Sequence, residues 1–331
     1  MSRQGHQIFA DALARHAAQA PDDDRLAGLA RWITAPLRVA VDGRRGVGAP
    51  TVRAALSAAG VAVVEVDADL SVRVVAEVAK PEDLATCPTL VVLNKADLCG
   101  FRSGGPMAAA HRRCAEVAAL AGAPAMPMAA LLAVAALDHS VLDAGLLDAL
   151  RTLVDAPADL RCPDAFVTCE HPLSPAVRVR LLDSLDLFGI AHGVITLRGD
   201  DAGAEEVRAA LRVVSQIDEV VARIDALAVE ARYRRVVRVV GELEALAITD
   251  SRLAAFLAAD ETVLARMSAA VDVVEGAGLT VDRSDGPAAH LGRAVHWRRY
   301  GAAPLTVLHR ACAADIARGS LRLLAAAGGS P

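Results

Sequence analysis

The sequence predicts an α/β protein with a mostly parallel sheet, extended by an α-helical bundle drawn from both ends of the chain. Three observations carry this. The apolar runs Leu37–Val41 and Thr89–Leu93 each lead straight into a turn and then a helical pattern, as strands buried on both faces do. After Gly199-Asp200-Asp201-Ala202-Gly203 the apolar positions recur at helical spacing to the end of the chain, and Ile8–Ile33 shows the same spacing. The chain has 331 residues, 54% of them hydrophobic but only 3% aromatic, so its core is aliphatic and large enough for two intimate domains. The expected division is 1–35 as N-terminal helices that pack with the helical domain, 36–200 as the α/β domain and 201–331 as the helical domain.

Taken in order, Ile8–Ile33 is helical with an interruption at Pro21-Asp22-Asp23-Asp24, whose acids begin the next helix. A strand over Leu37–Val41 enters the glycine loop Asp42–Thr51, and a helix over Thr51–Ala59 follows. Strands are expected at Val61–Val66 and Val72–Val78, then a helix start within Glu77–Leu84 and the strand Thr89–Leu93. Ala108–Leu120 reads as helix, and Ala125–Ala133 as a strand and turn. Beyond a helix over Val141–Leu153 and a loop over Pro157–Pro163, Ser174 and Pro175 open a helix that Gly189 ends. Ile190–Leu197 alternates as a further strand that closes the sheet. The later helices break near Ser215-Gln216-Ile217-Asp218, restart at Thr249-Asp250, run to about Glu275 before Gly276 and Gly278, and begin again near Pro287 and Pro304.

Composition limits the function. No apolar run approaches the ~18 residues of a membrane span, and the N-terminus starts polar, which predicts a cytoplasmic chain. A net charge of −5 with no long basic block argues against nucleic acid as a partner. The six cysteines, at 87, 99, 114, 162, 169 and 312, have neither CxxC nor metal-ligand spacing and read as reduced thiols. Arg232–Val240 is either the solvated side of an apolar helix or a basic surface for anionic lipid. His296-Trp297-Arg298-Arg299-Tyr300 reads as packing at the end of a bundle.

The chemistry concentrates in one tetrad. Asn94 is the only asparagine of the chain, and Lys95, one of two lysines, follows it directly, with Asp97 two residues on. Asn94-Lys95-Ala96-Asp97 stands where a buried strand ends, the usual ligand edge of an α/β sheet. The Asp97 carboxylate can accept from N1–H and the exocyclic amine of guanine, Asn94 can serve O6 or N7, and the Lys95 stem can cover the base. The second element is Asp42-Gly43-Arg44-Arg45-Gly46-Val47-Gly48-Ala49-Pro50-Thr51, in which Gly43 and Gly48 have the spacing of a phosphate-binding loop that Gly46 helps to shape. Ala49 and Pro50 stand where such a loop has its lysine and Mg²⁺-binding hydroxyl, and Thr51 comes one place late.

Together these motifs resemble the nucleotide-binding domain of the GTPase superfamily, most specifically a degenerate, dynamin-like member of the actinobacterial type. The tetrad alone matches in full. The resemblance implies a P-loop GTPase-like core beside a helical stalk, and places Ala129 and Ala130 where backbone amides contact guanine O6. It also calls for a DxxG element between the two motifs; the nearest acids, Asp67-Ala68-Asp69-Leu70, lack the glycine. The expectation is a pseudo-GTPase: weak GTP or GDP binding without Mg²⁺, no catalytic or metal-binding residue, and assembly with a protein partner, either itself or a related active GTPase. The alternatives are an active GTPase with an atypical loop, in which Thr51 replaces the missing hydroxyl and a partner supplies charge, and an interaction module that binds no nucleotide.

Overall fold

Asp23 shows how the sequence punctuates this chain: its carboxylate accepts from the N–H groups of Arg25 and Leu26 at 3.1 and 2.9 Å and so starts the second helix. These are α1 (Gln4–Ala18) and α2 (Asp24–Thr34) in a computed structural model that describes residues 4–84, 88–100, 104–199 and 202–328. The chain divides into Arg38–Ile224 and a second unit made of Met1–Leu37 with Asp225–Pro331.

The first of these holds a five-stranded sheet. Along the chain come β1 (Arg38–Gly43), α3 (Ala49–Ala58), β2 (Ala62–Val64), β3 (Leu70–Ala76), α4 (Pro81–Leu84), β4 (Leu90–Asn94), α5 (Gly105–Ala121) and β5 (Ala125–Met128). The strands pair in parallel in the order β2-β1-β3-β4-β5. Val75, Val91 and Leu93 pack with Ala110, Cys114 and Val117 of α5. By two-residue alternation the equally buried Leu90 and Val92 point to the opposite face, so β4 is apolar on both faces up to its last residue, Asn94. The chain leaves β1 for β2 on one side and crosses to β3 on the other, which puts the turning point of the topology between β1 and β3.

Helices α6 (Ala130–Leu137), α7 (Ala144–Asp155), α8 (Pro163–Thr168), α9 (Pro175–Thr196) and α10 (Ala204–Ser215) complete that unit, with α6 packed on α3, α9 and α10. Here three expectations are corrected. Ile190–Leu197 is not a strand: Ile190 and Val194 repeat at the four-residue spacing of Leu181 and Leu185 and keep the segment helical through Thr196. Nor does Gly189 end the helix. A Cβ there would lie 2.4 Å from Leu132 Cδ2, so glycine allows α9 to close on α6, and the irregularity falls instead at Asp186, with φ 51° and ψ 175°. The boundary expected at 201 lies at Asp225, within α11 (Ile217–Leu246), because α10 packs on α6 and α9.

The helical unit continues with α12 (Ser251–Ala258), α13 (Asp260–Gly276), α14 (Pro287–Gly301) and α15 (Val307–Gly328). The single helix expected from Thr249 to Glu275 is two. Ala259 adopts φ −61° and ψ 141°, and Asp260 and Glu261 supply the acids of a fresh first turn. Phe9, Leu13, Leu26, Ile33, Tyr233 and Trp297 are among the large side chains of its core. Gly5 lies so close to α13 that a Cβ would come 2.2 Å from Ala269 N. The Arg232–Val240 segment is tied inward. Arg235, only 4% exposed, donates to the carbonyls of Trp32, Ala35 and Pro36 at the end of α2, while Arg234 and Arg238 pair with Glu230 and Glu242. Arg266 and Tyr233 both bond Asp315, at 2.7 and 2.9 Å, in the bundle interior. No helix among the described residues is long and apolar enough to cross a membrane.

Candidate functional site

Every strand of a parallel sheet ends on the same side, so the loops after β1, β3, β4 and β5 share one edge. The loop after β1 is shaped by its glycines. A Cβ on Gly43 would meet Val74 O at 2.7 Å and Val47 Cγ2 at 2.8 Å, while Gly46 and Gly48 take left-handed φ values of 88° and 83°. The turn closes with Val47 N–H donating to Arg44 O at 3.4 Å, and α3 starts at Ala49 with Pro50 in its first turn and Thr51 half-buried behind it. Among the described residues no acceptor takes the N–H of Gly46, Gly48 or Ala49. These groups, at the start of a helix, are free to meet an anion.

Gly48 is glycine for a second reason. A Cβ there would stand 2.4 Å from Asn94 Nδ2. Asn94 is 4% exposed, donates from Nδ2 to Val47 O at 2.9 Å and accepts at Oδ1 from Ala130 N–H at 3.1 Å. One amide thus ties the glycine loop to the β5–α6 junction and brings three of the expected elements together. The geometry also revises the role read for this residue. Each side-chain polar atom of Asn94 already has a partner within the protein, which leaves the second hydrogen on Nδ2 and the second lone pair of Oδ1 for a ligand. The two alanine amides are engaged likewise: Ala129 N–H donates to Ser215 O at 3.1 Å and Ala130 N–H to Asn94.

Lys95 is exposed and left-handed, with φ 57°, and opens the single 3₁₀ turn Ala96–Leu98. Asp97 in that turn is half-buried. Burial raises its carboxyl above the ordinary range; its own N–H opposes the shift, the charge of Asp186 adds to it and Lys95 counters it. Asp186 is a group the sequence reading passed over. It stands in a backbone region that side chains seldom adopt, at the break in α9, with its Oδ1 taking the N–H of Leu187 at 2.5 Å.

A second overlooked contact crosses the turning point of the sheet. Arg44 Nε donates to both oxygens of Asp83 at 3.1 and 2.9 Å, and Nη2 to Val78 O at 3.4 Å. The Asp83 side chain is fully buried and also accepts from Lys80 N–H at 3.0 Å. In the sequence Asp83 read only as an acid opening a short helix, and nothing about its spacing pointed back to residue 44. Arg45 is exposed.

For metal chemistry the donors are scattered. Asp42 faces Arg73 at 3.2 Å, and Asp69 accepts Arg38 N–H at 2.8 Å. Among the described residues no group of three or more His, Cys, Asp or Glu is placed to hold a metal ion. A cleft of about 690 Å³ in the helical unit, lined by Val229, Met267, Val271, Asp272, Glu275 and Arg293, contains none of the candidate site residues read from the sequence. Chemistry favours the strand ends, where the glycine loop and the tetrad share one edge of the sheet and are joined through Asn94. Comparison with protein-family models, with curated proteins and with solved structures finds no match to this chain.

Proposed function

We propose that this chain is a pseudo-GTPase, a guanine-nucleotide-binding assembly protein that does not hydrolyse triphosphate competently. One observation carries the reading: Asn94, at the head of the tetrad, is hydrogen-bonded to the glycine loop through Val47 O at 2.9 Å, so base-reading and phosphate-facing elements form one edge. In this reading the ionised Asp97 accepts from N1–H and the exocyclic amine of guanine, and the exposed Lys95 stem covers the ring. Asn94 acts chiefly by holding the two loops in register, with its remaining N–H available to the base. Gly46, Gly48 and Ala49 offer their N–H groups to phosphate, without the ammonium and hydroxyl that a hydrolytic loop supplies.

Calorimetric titration of nucleotide-free protein with GDP, GTP and ATP, with and without Mg²⁺, tests this. Guanine-selective binding that Mg²⁺ does not change is expected, and Asp97→Ala should abolish the selectivity. Absence of binding at millimolar nucleotide would leave the tetrad as a structural turn. A second reading, an interaction module that binds no nucleotide, draws on the internal partners of Asn94, Ala129 and Ala130. It expects a protein partner whose capture is indifferent to any nucleotide.

A further inference from the structure

The glycine loop has two cations, Arg44 and Arg45, and lacks the lysine at position 49. Arg44 leaves β1 just where the topology turns, the crevice in which open α/β sheets bind ligands. Its guanidinium is held across that crevice by a carboxylate with no exposure, whereas its own side chain is 24% exposed. Nε and one N–H of Nη2 face Asp83 and Val78 O; Nη1 has no described acceptor. A planar fork with five donors is therefore half used, with unused donors on a partly exposed side chain of the same loop whose N–H groups are free.

We propose that Arg44 is a phosphate-binding residue held in reserve, and that Asp83 is the internal anion a diphosphate must displace to engage it. The proposal rests on the reading that the glycine loop faces phosphate. Fork-shaped donors bind phosphate and carboxylate in the same way, so the two anions compete for one guanidinium. Withdrawing Arg44 would strand a buried carboxylate, so the exchange is unfavourable and wild-type phosphate binding is weak. Asparagine at 83 removes that opposition and still offers an oxygen to Lys80 N–H.

The test titrates wild type, Asp83→Asn, Arg44→Gln, the double variant and Glu82→Gln with inorganic pyrophosphate, GDP and ADP. Glu82 is exposed on the same short segment, so its variant makes the same charge change without touching Arg44. Asp83→Asn should tighten pyrophosphate and GDP by about tenfold or more, Glu82→Gln should stay within about twofold, and the double variant should lose the gain. An unchanged affinity in Asp83→Asn, a gain that survives in the double variant, or no pyrophosphate binding by any variant at about 10 mM overturns the proposal. Should Asp83→Asn fail to fold by circular dichroism, Arg44→Gln decides. A loss of about tenfold in pyrophosphate affinity supports the role, and no change rejects it. The base separates this from the guanine reading: equal affinities for GDP and ADP, with a gain for both in Asp83→Asn, keep Arg44 and refute guanine selectivity, whereas GDP preference with an inert Asp83→Asn does the reverse.

Discussion

Asn94 carries two kinds of information, and only one was legible before folding. The rarity of asparagine and lysine made the tetrad conspicuous. Its bonds to Val47 and Ala130 were not, because they join positions 47 and 36 residues away that only the strand order brings together. Removing that side chain leaves a buried carbonyl and a buried N–H without partners. Asn94→Ala should therefore lower unfolding free energy in urea by roughly 2–4 kcal/mol, while Lys95→Ala, at an exposed position, should change it by less than about 0.5 kcal/mol. Equal effects would mean the amide is not a fastener. The Arg44–Asp83 pair escaped notice for a similar reason. Acids at a helix start are common, and burial, which makes this one unusual, is invisible in sequence.

At the level of elements, caps and the breaks at Pro21–Asp24 and Ser215–Asp218 were legible, whereas the irregularities at Asp186 and Ala259 were not. Ser174 and Asp23 cap the helices expected of them, accepting N–H groups two or three residues on. The segment after Gly189 misled because Ile, Val and Thr suit a strand, yet its four-residue spacing wins once α6, α7 and α10 provide surfaces to cover. The same helix bends at Asp186, whose φ of 51° favours glycine. Asp186→Gly should raise stability by roughly 1 kcal/mol, and Asp186→Ala, which keeps the strain and loses the bond to Leu187 N–H, should lower it. A gain from alanine would argue against strain there. In the bundle, Asp315→Ala should cost about 3–5 kcal/mol in denaturant unfolding, since it leaves the Arg266 guanidinium buried and unpaired.

For the molecule as a whole, two groups of the helical unit, His6 in α1 and Asp272 in α13, respond to acid in opposite senses. Burial, with Arg232 and Arg235 nearby, lowers His6 from 6.5 to about 4, so between these values the unfolded chain holds more protons and stability rises with pH. Burial raises Asp272 from 3.8 to about 6 against a bond from Gly5 N–H, with Glu275 adding to the shift and Arg283 opposing it. There the folded chain holds more protons, and stability falls as pH rises. The two slopes offset between about pH 4 and 6. Urea unfolding at those two pH values should show Asp272→Asn gaining more stability with pH than wild type, and His6→Gln gaining less; parallel curves would refute the pairing. The α/β class and the separate helical region were legible because they rest on periodicity, whereas the point at which one unit gives way to the other, inside α11, depends on packing. That division has a consequence for how the protein is made. The sheet unit is contiguous, but α1 and α2 emerge from the ribosome long before the residues beyond Asp225 that complete their core. Until then Phe9, Leu13 and Ile33 have no finished interior to enter, so the first helices synthesised are among the last to be secured, and their apolar faces are the chain's exposure to aggregation and to chaperones during translation.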